Sequence, residues 1–236
     1  MTKAVLALMF PPLLALYAFG VMVALDTSLA YTQYLLIVPL AYFLGSIPWG
    51  YMITKLRHNV DIREYGSGRV GTSNVLRYGG KRLAIIVLVL DLSKGALAVL
   101  LARAVADTPF AEVIAGILVM IAHNWSPFMG FKGGRGIAPG AGVMVVISPI
   151  STGIGISIFA LLTFFTKYIS LGSLVGVFFL VVVLLVQVNV TNLPSTYLIF
   201  GGVGGLIIFW QHKDNIQRLL KGTEHRLGQP AKKLSE

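Results

Sequence analysis

The stretch LAIIVLVLDLSKGALAVLLARAVA, residues 83–106, decides the fold. It is aliphatic almost throughout and is broken in its middle by DLSKG at 91–95. A bilayer core takes about 20 apolar residues of helix to cross. The run does not alternate as a strand would, so it predicts a membrane-spanning helix. Asp91 and Lys94 then share one helix face inside the membrane. Ionisable groups at that depth face a partner or a cavity. A buried structural ion pair and support for a nearby polar site both fit them.

Outward from this segment the same pattern repeats. Apolar segments are read at Ala4–Leu25, Tyr34–Thr54, Val113–Phe128, Ile137–Ser148, Pro149–Thr166, Leu171–Asn189 and Tyr197–Gln211. The expected fold is all-α: a polytopic transmembrane helical bundle of about seven core membrane segments plus one extra N-terminal helix. Composition agrees, with 56% hydrophobic and 12% charged residues and a mean hydropathy of +0.81 over 236 residues. A soluble domain carries about twice that charge. The absence of cysteine excludes disulfides, thiol catalysis and thiolate zinc sites. A net charge of +10 reads as basic loops held beside anionic lipid, with no nucleic-acid partner implied.

Charge sets the expected topology. With the N-terminus inside, seventeen of the nineteen Lys and Arg residues fall on the cytoplasmic side. The C-terminus is then cytoplasmic too. This parity requires a tight outer turn at Ser148–Pro149, which divides Ile137–Thr166 into two segments. The first segment of the chain reads as a retained helix rather than a signal peptide, whose apolar core runs about 7–15 residues. The expected organisation is an extra helix and outer loop at 1–33, a membrane domain at 34–227 and a mobile tail at 228–236.

Polar islands interrupt the apolar text on the expected cytoplasmic side. The first joins GSIPWG (45–50) to DIREYGSGRVGTSNVLRYGG (61–80). Gly66, Gly68 and Gly71 permit tight turns and close approach to a ligand. Ser67, Thr72, Ser73 and Asn74 add short hydrogen-bonding groups, and Arg63, Arg69 and Arg77 add charge. Backbone N–H groups with arginines nearby suit a phosphate; an ordinary basic loop is the alternative. A further island is GFKGGRGIAPGAG (130–142). It lacks a Walker A pattern, yet Gly133, Gly134 and Gly136 with Lys132 and Arg135 precede an expected helix start at Ile137, where anions are favoured. Glycines that let helices approach closely are the alternative. His123, just upstream, fits either a structural hydrogen bond or catalysis. The last island is HKDNIQRLLKGTEHRLG (212–228), with His212 and Asn215 on one face. An amphipathic helix on the bilayer surface would also read this way. Ser170 and Ser173 are weaker candidates. No metal-ligand spacing and no nucleophile motif occurs. The chemistry implied is the binding of phosphate-bearing substrates at the inner leaflet.

GSIPWGY, DIREYGSGRVGTSNVLR, DLSKG, HNWSPFMGFKGGRGIA, YISLGS and HKDNIQRLLKGTEH occur in this order. Together they resemble the bacterial integral-membrane glycerol-3-phosphate acyltransferases that use acyl-phosphate, over residues 36–227. The resemblance implies transfer of an acyl group from acyl-phosphate to sn-glycerol-3-phosphate, giving lysophosphatidic acid and phosphate. The first step of phospholipid synthesis would then take place in the bacterial plasma membrane. It makes 34–227 the acyltransferase domain and requires no cofactor or metal. By the family pattern Ser67, Arg77, Ser173, His212 and Asn215 match site positions, and Arg135 stands where a lysine is usual. Arg69, Thr72-Ser73 and Pro139 depart from the pattern, which has Asn, Ala-Thr and Thr there. In the expected roles, the glycine loops and Ser67 hold the acyl-phosphate head. Arg77 and Arg135 steady phosphates, and His212 and Asn215 orient glycerol-3-phosphate. Either His212 or a substrate phosphate takes the proton. A transporter or lipid-binding subunit with a phosphate-binding vestibule is the rival class, although the outer half lacks the polar path a transporter needs.

Overall fold

The computed structural model describes residues 32–234, so the expected first helix, Ala4–Leu25, lies outside the described residues. Within them the chain is a helical bundle: α1 (Thr32–Ser46), α2 (Trp49–His58), α3 (Thr72–Ala106), α4 (Pro109–Asn124), α5 (Ile137–Ile147), α6 (Pro149–Thr166), α7 (Ile169–Val190), α8 (Tyr197–Gln211) and α9 (Lys213–Leu220). Five spans are long and apolar enough to cross a membrane: Thr32–His58, Thr72–Ala106, Pro109–Met129, Pro149–Thr166 and Ile169–Val190. The apolar helices α5 and α8 are shorter, at 11 and 15 residues.

The expected break at Ser148–Pro149 is present, and Ser148 serves both helices. Its N–H donates to the Met144 carbonyl at 2.8 Å, closing α5. Its Oγ accepts from Ser151 N–H at 3.4 Å, opening α6, where Pro149 occupies a first-turn position that needs no donor.

Elsewhere the boundaries move. The segment expected at Tyr34–Thr54 divides into α1 and α2, because Pro48 has no N–H and disfavours helix at Ile47. Helix α3 starts at Thr72, eleven residues before the expected 83, and kinks at Gly80, whose φ of 77° only glycine adopts readily. Arg77 therefore sits on a short helical arm rather than in a loop. Helix α4 starts at Pro109 behind the cap Thr108, whose Oγ1 accepts from Ala111 N–H at 3.3 Å. Glu112, one residue before the expected segment Val113–Phe128, is thus buried in the first turn of α4. There it accepts from Arg103 at 2.7 and 2.9 Å and from the Tyr197 hydroxyl at 2.9 Å. The tail expected to be mobile from 228 is docked as far as 234. Gly66 N–H donates to Lys232 O at 2.8 Å, Leu234 N–H to Glu64 O at 2.8 Å and Ala231 N–H to Arg77 O at 3.2 Å. Free backbone groups of Glu64, Gly66 and Arg77 offer the tail these bonds.

Helix α4 is the centre of the bundle, packed on α1, α3 and α8, while α6 pairs with α7 at its flank. In lipid such contacts rest on close packing of small residues rather than on water exclusion. Helices α3 and α5 show it: a Cβ on Gly95 would lie 2.0 Å from Pro139 O, and one on Gly142 would lie 2.0 Å from Leu92 O. Pro139 is accommodated because it stands in the first turn of α5, where its missing N–H has no partner to lose.

Candidate active site

The first wall of the site is the turn before α3, and Asn74 builds it. Its Nδ2 donates to the carbonyls of Ile62 (3.2 Å), Tyr65 (2.9 Å) and Arg69 (2.9 Å), while its Oδ1 accepts from Ser67 N–H at 3.1 Å. The amide is fully used, so Asn74, expected to bind phosphate, is a scaffold residue. Gly66 must be glycine: its φ is 59°, and a Cβ would come within 2.3 Å of Asn74 Oδ1. Gly68 shares this conformation. The result presents Arg69, Gly71, Thr72, Ser73 and Arg77 to one cavity, while Ser67 Oγ is buried with no partner.

The second wall is the segment after α4. Gly133 N–H donates to Asn124 O and Gly134 N–H to His123 O, both at 3.0 Å. Those two N–H groups, expected to cradle phosphate, are therefore spent within the chain. The two glycines are there for space, since a Cβ on Gly134 would lie 2.0 Å from His123 Nε2. Lys132, also expected at the phosphate, is exposed and lies outside the cavity lining, because Phe131 turns the chain outward at φ 61°. Arg135, Gly136, Ile137 and Ala138 do line the cavity. As the first residues of α5, Ile137 and Ala138 have N–H groups without a carbonyl one turn back. Burial, followed by the charge of Arg69, pulls the Arg135 guanidinium down to about 10.

Asp91, Lys94 and His123 brace this wall. The three protons of the Lys94 ammonium go to Gly45 O (3.0 Å), Ile47 O (3.1 Å) and His123 Nδ1 (2.7 Å). Asp91 Oδ1 lies 3.0 Å from Nζ but makes no hydrogen bond, so the contact is electrostatic. The ammonium fixes the break before α2 and the end of α4 together.

The third wall comes from α7, α8 and α9. His212 closes α8, and its Nδ1 lies 2.8 Å from Ile208 O. A carbonyl only accepts, so Nδ1 carries the proton and Nε2 keeps its lone pair. Burial, and then Arg135, push the His212 imidazole down to about 4. Asn215 Nδ2 donates to Glu224 Oε1 at 2.7 Å, and its Oδ1 is buried without a partner. Ser173 lines the cavity but donates its hydroxyl back to Ile169 O at 2.9 Å, so it is free only to accept.

Glu224 is absent from the expected site residues, and Thr72 is expected only as one of the short hydrogen-bonding groups of the first island. Glu224 is 5% exposed and accepts from Ser170 (3.0 Å), Asn215 and Arg218 (2.8 Å). In the sequence it stands as a lone acid amid the cations of KGTEHR, which by itself reads as a solvated charge. Thr72 Oγ1 is buried and unpartnered at the start of α3.

The cavity these walls enclose has a volume of about 500 Å³. Its polar end holds the groups above. From there it runs between the helices past Leu88, Met144, Phe159, Leu180 and Phe200. Buried polar groups are normally paired. Here Thr72 Oγ1, Arg77 Nε, Arg135 Nε and Asn215 Oδ1, all on residues that line the cavity, are not, and they come from three separated parts of the chain; Ser67 Oγ is unpartnered too, but Ser67 stands outside the lining. Three of the four lining groups are donors suited to phosphate oxygens, and the fourth accepts from a hydroxyl. Among the described residues no group of three His, Asp or Glu side chains is placed to hold a metal ion.

A helical membrane bundle whose buried donors surround the head of an apolar channel is built for an anionic lipid-like substrate. The chain matches the model of the glycerol-3-phosphate acyltransferase family over residues 35–222 and belongs to that family. It is 37% identical to glycerol-3-phosphate acyltransferase 3 of Dehalococcoides mccartyi (strain CBDB1), over 84% of this chain and 97% of the relative. It is 42% identical to the glycerol-3-phosphate acyltransferase of Thermoanaerobacter sp. (strain X514), over 80% and 93%. Its fold is similar to the crystal structure of the integral membrane glycerol 3-phosphate acyltransferase PlsY (YgiH) in the glycerol 3-phosphate form. There the TM-score is 0.76 and the identity 35%, covering 82% of this chain and 95% of that one. The lysophosphatidic acid form of PlsY matches with a TM-score of 0.75 and 34% identity.

Proposed function

We propose that the chain transfers an acyl group from acyl-phosphate to sn-glycerol-3-phosphate, giving lysophosphatidic acid and inorganic phosphate. The observation that carries this reading is the set of unpartnered buried groups at the head of the apolar channel. Two phosphates need clustered donors, a glycerol hydroxyl needs an acceptor, and an acyl chain needs a path among apolar side chains. All three are present.

Ser67, Thr72 and the first N–H groups of α3 hold one phosphate with Arg77. Arg135 and the free N–H groups of α5 hold the other. Asn215 Oδ1 and His212 Nε2 accept from the glycerol hydroxyls. The attacking hydroxyl oxygen bonds to the acyl carbon, its proton passes to His212 Nε2 or to a substrate phosphate, and the acyl–phosphate bond breaks with its electrons on the departing phosphate. The protein's work is alignment and charge stabilisation, since the donor is already activated. The site opens to the cytoplasm, the side on which the positive-inside rule puts most of the chain's lysines and arginines.

The test is purified protein in detergent with synthetic acyl-phosphate and glycerol-3-phosphate. Lysophosphatidic acid forms without coenzyme A. Turnover with acyl-CoA alone sinks the donor assignment; turnover with neither donor moves the reading to transport or lipid binding.

A further inference from the structure

Among the described residues, Arg69, Arg77 and Arg135 all line the cavity, and none of them forms an ion pair. The two acids that also line it are already engaged. Asp91 lies against Lys94, and Glu224 accepts from Ser170, Asn215 and Arg218. Three guanidiniums therefore face one space with no free carboxylate among them. Like charges at close range disfavour one another unless an anion joins them. Arg69 is not there by loop slack. Its carbonyl is held by Asn74 Nδ2 at 2.9 Å, and it stands between Gly68, at φ 66°, and the start of α3. The Arg69 charge also lowers the Arg135 pKa, ahead of those of Arg218 and Arg77.

We infer that Arg69 is a substrate-binding residue that clamps a single phosphate dianion together with Arg135, which reaches the same cavity from a different segment. The inference rests on the reading of this cavity as a phosphate site and adds which cations share a phosphate. Two planar forks from two walls fix the phosphate in position and orientation, which a single point charge does not. The same chemistry belongs to both substrates, so the arms of the test assign it.

Arg69→Gln and Arg69→Lys are compared with the full-length wild type in detergent. The first measurement is the melting temperature with and without inorganic phosphate or glycerol-3-phosphate. Arg69→Gln without anion melts no lower than wild type, since a repelling charge has gone, and it loses most of the rise that phosphate gives the wild type. The second measurement is turnover. In Arg69→Gln the KM for one substrate rises about tenfold or more, the scale of a lost charge-assisted contact. The other KM and kcat stay within a few-fold, and Arg69→Lys recovers part of the loss. A rise for glycerol-3-phosphate assigns the clamp to the acceptor, and a rise for acyl-phosphate assigns it to the donor. An intact phosphate-induced rise with both KM values unchanged overturns the inference. A lower melting temperature without anion, with both KM values raised alike, marks a structural role and also overturns it. Should the wild type fail with acyl-phosphate, the donor reading falls, while the phosphate melting arm still decides Arg69.

Discussion

Asn215 and Glu224 are joined at 2.7 Å, amide to carboxylate, and that contact determines which end of Asn215 remains for a substrate. With Nδ2 held by Glu224, Oδ1 is the unpartnered atom, and an amide oxygen can only accept; a substrate role for it belongs to the proposed reaction. Glu224→Ala strands Asn215, Ser170 and Arg218 at once, and losing one member of a buried charged network costs about 3–5 kcal/mol. The expected outcome is a large fall in melting temperature with loss of turnover. Asn215→Asp is the sharper test. It puts a second carboxylate against Glu224, so it should lose more stability than Asn215→Ala. A more stable Asn215→Asp would mean that Glu224 does not hold the amide as described.

The docked tail makes a prediction of its own. Residues 231–234 hold Glu64, Gly66 and Arg77 by backbone hydrogen bonds, from outside the turn that carries Ser67. Leu234→Pro removes the donor to Glu64 O, and truncation at 228 removes all three bonds, each contributing about 1 kcal/mol. The truncated protein should fold, exchange its Gly66 amide hydrogen faster, and show KM raised about tenfold with kcat less affected. Unchanged exchange at Gly66 would show that the turn stands without the tail.

Lys94 holds Gly45, Ile47 and His123 from one buried ammonium. Lys94→Met leaves Asp91 as an uncompensated buried charge and is expected to cost about 3–5 kcal/mol. Replacing both, as Asp91→Leu with Lys94→Met, should be milder than Lys94→Met alone, because no charge is then left unpaired. Thermal unfolding in detergent of the two single variants and the double variant measures this coupling. A double variant as unstable as the sum of the singles would remove the pair as a unit.

The helices were legible because hydrocarbon admits few alternatives, and continuous apolar runs allow little else. Even the break at Ser148–Pro149 showed, since a proline with a capping serine is a local signal. What the sequence hid depended on contacts distant in the chain. The site residues that hold substrate-facing groups and those that hold the backbone look alike as text. Asn74 and Thr72 are neighbours in one polar run, yet Asn74 is a scaffold with every amide bond used, while the Thr72 hydroxyl is free. Glycine is as ambiguous. Gly133 and Gly134 could have freed N–H groups for a ligand, and instead they make room for His123. Glu224 was hidden because one acid in a basic tail normally reads as a solvated charge, and only the fold brings Ser170 to it across 54 residues.

His212 carries the last prediction. Its Nδ1 proton is fixed by Ile208 O, and burial with the nearby Arg135 charge lowers its pKa from 6.5 to about 4. The folded value lies below the unfolded one. The neutral form therefore contributes stability that is present above pH 6.5 and is lost as pH falls through that value towards about 4. Nitrogen NMR of histidine-labelled protein should find His212 neutral at pH 6, protonated on Nδ1, and titrating near pH 4. Arg135→Gln removes a repelling charge and should move that titration upward. A base so weak in the free protein gains strength when a dianionic phosphate binds beside it and offsets the arginines. Accordingly the titration should also move upward when glycerol-3-phosphate is added. If His212 is the base, His212→Gln lowers kcat by about 10²–10⁴. A loss confined to KM would leave the proton to a substrate phosphate, and a wild-type titration near pH 6.5 would remove the buried, arginine-flanked imidazole from the mechanism.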